Sequence, residues 1–113
     1  MYTIYHNPRC KKSRAGLQYL QSKGIDPEIV EYLKTPLSAS ELRELLSKLG
    51  KKPAEMIRTQ EAVYKSDYKG KKMSDADWIK AMVDHPKLIQ RPIVVKGKLA
   101  VLGDPVENID ALL

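Results

Sequence analysis

The chain has 113 residues, 42% of them hydrophobic, which suffices for one compact domain spanning the whole sequence and excludes two sizeable cores. Twenty Lys and Arg against fourteen Asp and Glu leave a net charge of +6 with no dense basic run, a pattern that suits a solvated surface attractive to anions and argues against a DNA footprint. A lone cysteine excludes an internal disulfide and a Cys-rich zinc site, no metal is expected, and no window approaches the roughly 18 apolar residues of a membrane span.

A reducing cytoplasm is therefore the expected compartment, and the N-terminus has no charged-then-apolar leader. Thr3-Ile4-Tyr5 after Tyr2 reads as a short first strand that Asn7-Pro8 breaks, so His6 to Arg9 should be a loop at the strand's carboxyl end. Apolar residues then recur at helical spacing from Lys11 through Ala15, Leu17, Tyr19 and Leu20 until Gly24, which leaves Cys10 at or just before a helix N-terminus. Glu28 to Tyr32 is a second strand, completing a β-α-β opening.

Ser38-Ala39-Ser40-Glu41 forms a capping box before Leu42, Leu45, Leu46 and Leu49, and Gly50 ends that helix. Pro53 to Arg58 reads as a short helical turn, Thr59 to Lys72 as a polar stretch with few core residues. Ser74 then caps a helix presenting Trp78, Ile79, Met82 and Val83, which His85-Pro86 stops. Pro92 to Val95 and Leu99 to Leu102 flank the turn Lys96-Gly97-Lys98 as an antiparallel hairpin. Asp104 as N-cap and Pro105 at the first helical position predict a closing helix to Leu113. The order is β-α-β, a helical block over roughly residues 36–86, then β-β-α: an α/β fold.

Cys10 is the residue whose surroundings suggest chemistry. A thiol is nucleophilic as thiolate, and its pKa falls from about 8.5 to about 3.5–7.5 at a helix N-terminus or beside cations. Arg9, Lys11, Lys12 and Arg14 surround Cys10, and the free N–H groups of Lys11 to Ser13 should point at its sulfur. The same donors suit a bound oxyanion, with Lys11 and Lys12 as nearby positive charge. Ser13 is placed to donate a further hydrogen bond, and His6 either donates one or holds the loop.

The stretches YHNPRCKKSR, YLKTP, Ile57-Arg58 and HPKLIQRPIVV together resemble the glutaredoxin-coupled arsenate reductase family, the ArsC family, whose relatives include the Spx regulators. The resemblance covers nearly the whole chain. It implies a thioredoxin-like fold, βαβ then ββα, with a helical insertion between the halves. It implies an oxidoreductase in which Cys10 attacks arsenate or a similar oxyanion, supported by His6 and Ser13, while Arg58 and Arg91 bind the oxyanion beside a cis Arg91-Pro92 bond. No bound cofactor is implied; glutathione is the co-substrate and second thiol, glutaredoxin the protein partner, and the expected state is a monomer. One position departs from the family pattern: where its reductases carry a third oxyanion-binding arginine, LGDP offers Asp104. The alternative is an Spx-like regulator that binds RNA polymerase without turnover, or a reductase-like protein with another substrate. Ser13 stands where Spx switches typically carry a second cysteine.

Overall fold

In the computed structural model, which describes Met1–Leu113, the chain forms two compact units, one of Met1–Thr35 with Arg91–Leu113 and one of Pro36–Gln90. The first unit holds a four-stranded mixed sheet. Strand β1 (Tyr2–Tyr5) runs parallel to β2 (Glu28–Val30) and antiparallel to β3 (Ile93–Lys96), which pairs antiparallel with β4 (Leu99–Leu102), in the order β2-β1-β3-β4. Ile93, Val94 and Val95 are all buried, which explains why this central strand reads as an unbroken β-branched run instead of alternating. Gly97, at φ +61°, takes the left-handed conformation that the tight β3–β4 turn demands.

Helix α1 (Lys11–Ser22) connects the parallel strands. Its Leu20 packs with Ile4, Val94, Ile109 and Leu112 into the core of this unit. β2 ends two residues sooner than the sequence predicts, because the chain turns at Glu31, whose carbonyl accepts the N–H groups of Lys34 and Thr35, both at 3.0 Å.

The closing segment differs from expectation. Val106–Leu112 is a 3-10 helix, and Pro105 occupies its cap position in extended conformation. Asp104 does not cap it. Its carboxylate is turned to Lys12, 3.2 Å away, while the Asn108 amide donates to the Leu102 carbonyl at 3.0 Å and ties the segment back to β4.

In the second unit, α2 (Ala39–Leu49) starts on a reciprocal cap: Ser38 Oγ accepts the Glu41 N–H at 3.1 Å and Glu41 Oε1 accepts the Ser38 N–H at 3.0 Å. Leu42, Leu45 and Leu46 are buried, as their spacing predicts. The following 3-10 turn stops at Met56, before Arg58, because Ile57 pairs with Ile89. Helix α3 (Asp75–Asp84) begins at Ser74 with the same kind of cap. It buries Ile79, Ala81 and Met82, whereas Trp78 is half-buried and stacks on Tyr64 with ring centroids 6.2 Å apart. The stretch expected to be merely polar thus contains a π-helical turn, Tyr64–Tyr68, held by aromatic contacts with α3.

Candidate active site

Where β1 ends, Asn7 turns the chain into α1. Its Oδ1 accepts the Arg9 N–H at 3.1 Å and its carbonyl accepts the Cys10 N–H at 3.0 Å, while Arg14 Nη1 donates to the Pro8 carbonyl at 3.0 Å. Cys10 is the N-cap residue of α1, extended at φ −92° and ψ 123°, and its carbonyl accepts the Arg14 N–H at 3.0 Å. No side chain caps this helix and no acidic residue lies in its first turn. Its open N–H groups are therefore available to the sulfur and to an anion bound there.

Burial pushes the Cys10 thiol up, but the other effects outweigh it. The Ser13 N–H, a hydrogen bond from Arg91, the Lys12 N–H and the Arg91 charge together hold it below the ordinary thiol value. A half-buried, unpaired cysteine with a lowered pKa is the profile of a reactive nucleophile.

Under this loop lies a buried polar network. His6 Nδ1 is 2.6 Å from Ser13 Oγ, and the Asn7 N–H donates to the same oxygen at 2.9 Å. His6, Asn7 and Ser13 are all buried. Burial lowers the His6 pKa, opposed by the Glu31 carboxylate and reinforced by the Arg14 charge. Ser13 meets the sulfur through its backbone N–H, and its hydroxyl serves the loop and the imidazole.

The other wall is built on proline. The Arg91-Pro92 bond is cis, as is Asp104-Pro105. Pro92 packs so tightly against α1 that a Cβ on Gly16 would lie 2.6 Å from its Cγ, and a Cβ on Gly103 would lie 3.1 Å from the same atom. The Gly103 N–H donates to the Pro92 carbonyl at 2.8 Å. Asp104 follows immediately and pairs with Lys12, an exposed contact.

The first unit thus brings together Cys10, His6, Ser13, Lys11, Lys12, Arg91 and Pro92. Lys11 is exposed at the start of α1, and Lys12 has its charge matched by Asp104. Arg58 belongs to the second unit, where its Nη1 is 3.5 Å from Glu61 Oε2 and, though buried, makes no hydrogen bond. Sequence reasoning read Asn7-Pro8 as the break after β1 but not the hydrogen bonds by which Asn7 holds Arg9 and Cys10. It also missed Glu31, which directly follows β2 beside the end of β1 and whose charge acts on His6. No three His, Cys, Asp or Glu side chains are grouped to hold a metal ion.

Comparison with known proteins agrees with this architecture. The model of the ArsC family matches residues 5–112. The chain is 47% identical over 108 residues to the uncharacterized protein YfgD of Escherichia coli, covering 94% of this chain and 91% of that one. It is 45% identical over 112 residues to an arsenate reductase of Neisseria meningitidis, covering 97% and 96%. The solved structure of an arsenate reductase from Vibrio cholerae superposes with a TM-score of 0.94 at 42% identity, over 99% of this chain and 97% of that one. The mixed sheet with its helices is accordingly thioredoxin-like, and the chain belongs to the ArsC family.

Proposed function

We propose that the protein is a thiol-dependent arsenate reductase in which Cys10 is the nucleophile. The observation that carries this reading is the convergence of the Ser13 and Lys12 N–H groups and the Arg91 side chain on one sulfur, with its pKa lowered. These donors stabilise the thiolate before reaction and would hold the oxygens of a bound oxyanion during it. We assign both tasks to Arg91, whose side chain already donates to the sulfur. Arg58 is proposed as a second guanidinium for the oxyanion, and Lys11 as diffuse positive charge.

Ser13 Oγ has one proton and already accepts from Asn7. When His6 is neutral, with Nδ1 unprotonated, Ser13 donates to it. Because burial lowers the His6 pKa, the neutral imidazole accepts from Ser13, and the pair supports the thiolate by holding the loop whose Ser13 N–H meets the sulfur.

Arsenate reduction needs two electrons, and Cys10 is the only thiol of the chain. A second thiol must come from outside, and we assign it to glutathione. Cys10 displaces one oxygen of arsenate as water, glutathione adds to the arsenic, and a Cys10–glutathione disulfide forms as As(V) leaves as As(III). Two thiols and arsenate thus give one disulfide, arsenite and water. Glutaredoxin would then reduce the disulfide, regenerating Cys10.

The test is arsenate-dependent NADPH oxidation coupled through glutathione, glutaredoxin and glutathione reductase. Turnover in the wild type that is lost in Cys10→Ser supports the reading; turnover that survives Cys10→Ser overturns it.

A further inference from the structure

Beside the Cys10 loop, within the first unit, lies a cavity of about 250 Å³ lined by His6, Pro8, Arg9, Glu31, Leu33 and Lys34. We propose that this cavity docks the second thiol, a zwitterionic thiol peptide of the glutathione class; the proposal rests on the Cys10 chemistry above. Sheet order supplies the first argument. β2 and β3 flank β1 on opposite sides, and Cys10 follows the carboxyl end of β1. Arg91 enters from the β3 side, whereas the cavity is walled by the segment that follows β2. An oxyanion on Arg91 and a thiol from the cavity would approach the sulfur from two sides without sharing donors.

Charge supplies the second. Arg9 and Lys34 are exposed cations, Glu31 is a half-buried anion, and Leu33 and Pro8 offer apolar surface between them. A peptide of the glutathione class carries two carboxylates, one ammonium and a short neutral body, which matches two cations and one anion. Lys34 and Glu31 are paired at 3.4 Å across an i,i+3 spacing. Such an exposed pair is weak, and both groups can exchange it for the ligand's own charges.

Reach supplies the third. An extended tripeptide spans about 10 Å, and Arg9 directly precedes Cys10. A ligand held by its ends at Arg9 and at Glu31 or Lys34 leaves a central thiol near the Cys10 sulfur. That thiol then forms the sulfur–arsenic bond as one arsenic-bound hydroxyl takes its proton and departs as water, and the arsenic takes back one water as the disulfide forms and arsenite leaves.

The deciding experiment has two arms, both on the full chain. S-methylglutathione, which binds without reacting, is titrated into wild type and Arg9→Glu/Lys34→Glu while amide resonances are followed. Saturable shifts at Arg9 and Glu31–Lys34 that weaken at least tenfold in the double variant support the proposal. No saturable shift, shifts confined elsewhere, or equal affinity in both proteins overturns it. In the coupled assay, Lys34→Glu alone, which leaves Arg9 beside the nucleophile, should raise the KM for glutathione at least threefold and change the KM for arsenate less than twofold. Lys65→Glu/Lys72→Glu, made at exposed residues of the second unit, controls for net charge. A similar rise in the control overturns the proposal, as does an unchanged KM for glutathione in the test variant. Binding at the cavity without any arsenate turnover would sink the reductase reading and leave the site standing; turnover without binding would do the reverse.

Discussion

His6 Nδ1 and Ser13 Oγ stand 2.6 Å apart, buried beneath the Cys10 loop, and the Asn7 N–H donates to the same hydroxyl at 2.9 Å. One hydroxyl therefore ties together the end of β1, the turn before α1 and the imidazole. Ser13→Ala strands a buried N–H and a buried ring nitrogen. Each such loss costs about 1–3 kcal/mol, so urea denaturation should show destabilisation in that range. The same variant should raise the pH midpoint of Cys10 alkylation, because the loop no longer holds the sulfur against the helix start.

His6 also makes stability depend on pH. Its pKa is lowered from 6.5 chiefly by burial, so the unfolded chain binds the proton more readily than the folded one. The contribution is fully present above pH 6.5 and is lost as pH falls through the lower folded value. Urea midpoints measured from pH 8 to pH 5 should decline on the acid side in wild type. His6→Asn should decline less over that interval; an identical decline would assign the effect to other groups.

Gly16 tests the packing of the proline wall. Alanine is favoured over glycine inside a helix by about 1 kcal/mol, yet here its Cβ would sit 2.6 Å from Pro92 Cγ. Pro92 is a ring fixed to the backbone and has little room to yield, so overpacking, typically about 1–3 kcal/mol, should win. Gly16→Ala is expected to be less stable than wild type and slower in Cys10 alkylation, since moving Pro92 moves Arg91.

Asp104 bears on the substrate. Its carboxylate pairs with the Lys12 ammonium and so cancels a positive charge on the first turn of the helix that presents the sulfur. Asp104→Arg removes the carboxylate and adds a bidentate donor. A charge-assisted hydrogen bond is worth about 1.5–3 kcal/mol, so kcat/KM for arsenate should rise about ten- to a hundredfold. Arg91→Ala and Arg58→Ala should lower it. Efficient wild-type turnover that Asp104→Arg leaves unchanged would show that position 104 does not limit the reaction.

What the sequence made legible was local. Ser38 with Glu41, Ser74 with Asp77, and Cys10 ahead of an uncapped helix each depend on residues a few positions apart, where spacing dictates contact. The β3–β4 hairpin was readable for the same reason. Contacts between distant segments were not. Lys12 meets Asp104, Tyr64 stacks on Trp78, and Pro92 fills the space a side chain on Gly16 would need, none of which leaves a periodic trace. The closing segment shows the cost: Asp104 has the composition of an N-cap, but its ion pair with Lys12 draws the carboxylate away. The role of Ser13 was half visible, its place beside the thiol legible and the commitment of its hydroxyl to His6 and Asn7 not.

The activated thiolate is the central claim, and the rate of Cys10 alkylation by iodoacetamide as a function of pH tests it most directly. With one cysteine in the chain, the signal has a single source. The Ser13 and Lys12 N–H groups and Arg91 should bring the midpoint below that of a free thiol, and Arg91→Ala should move it upward. A wild-type midpoint at or above that of free cysteine would contradict the account.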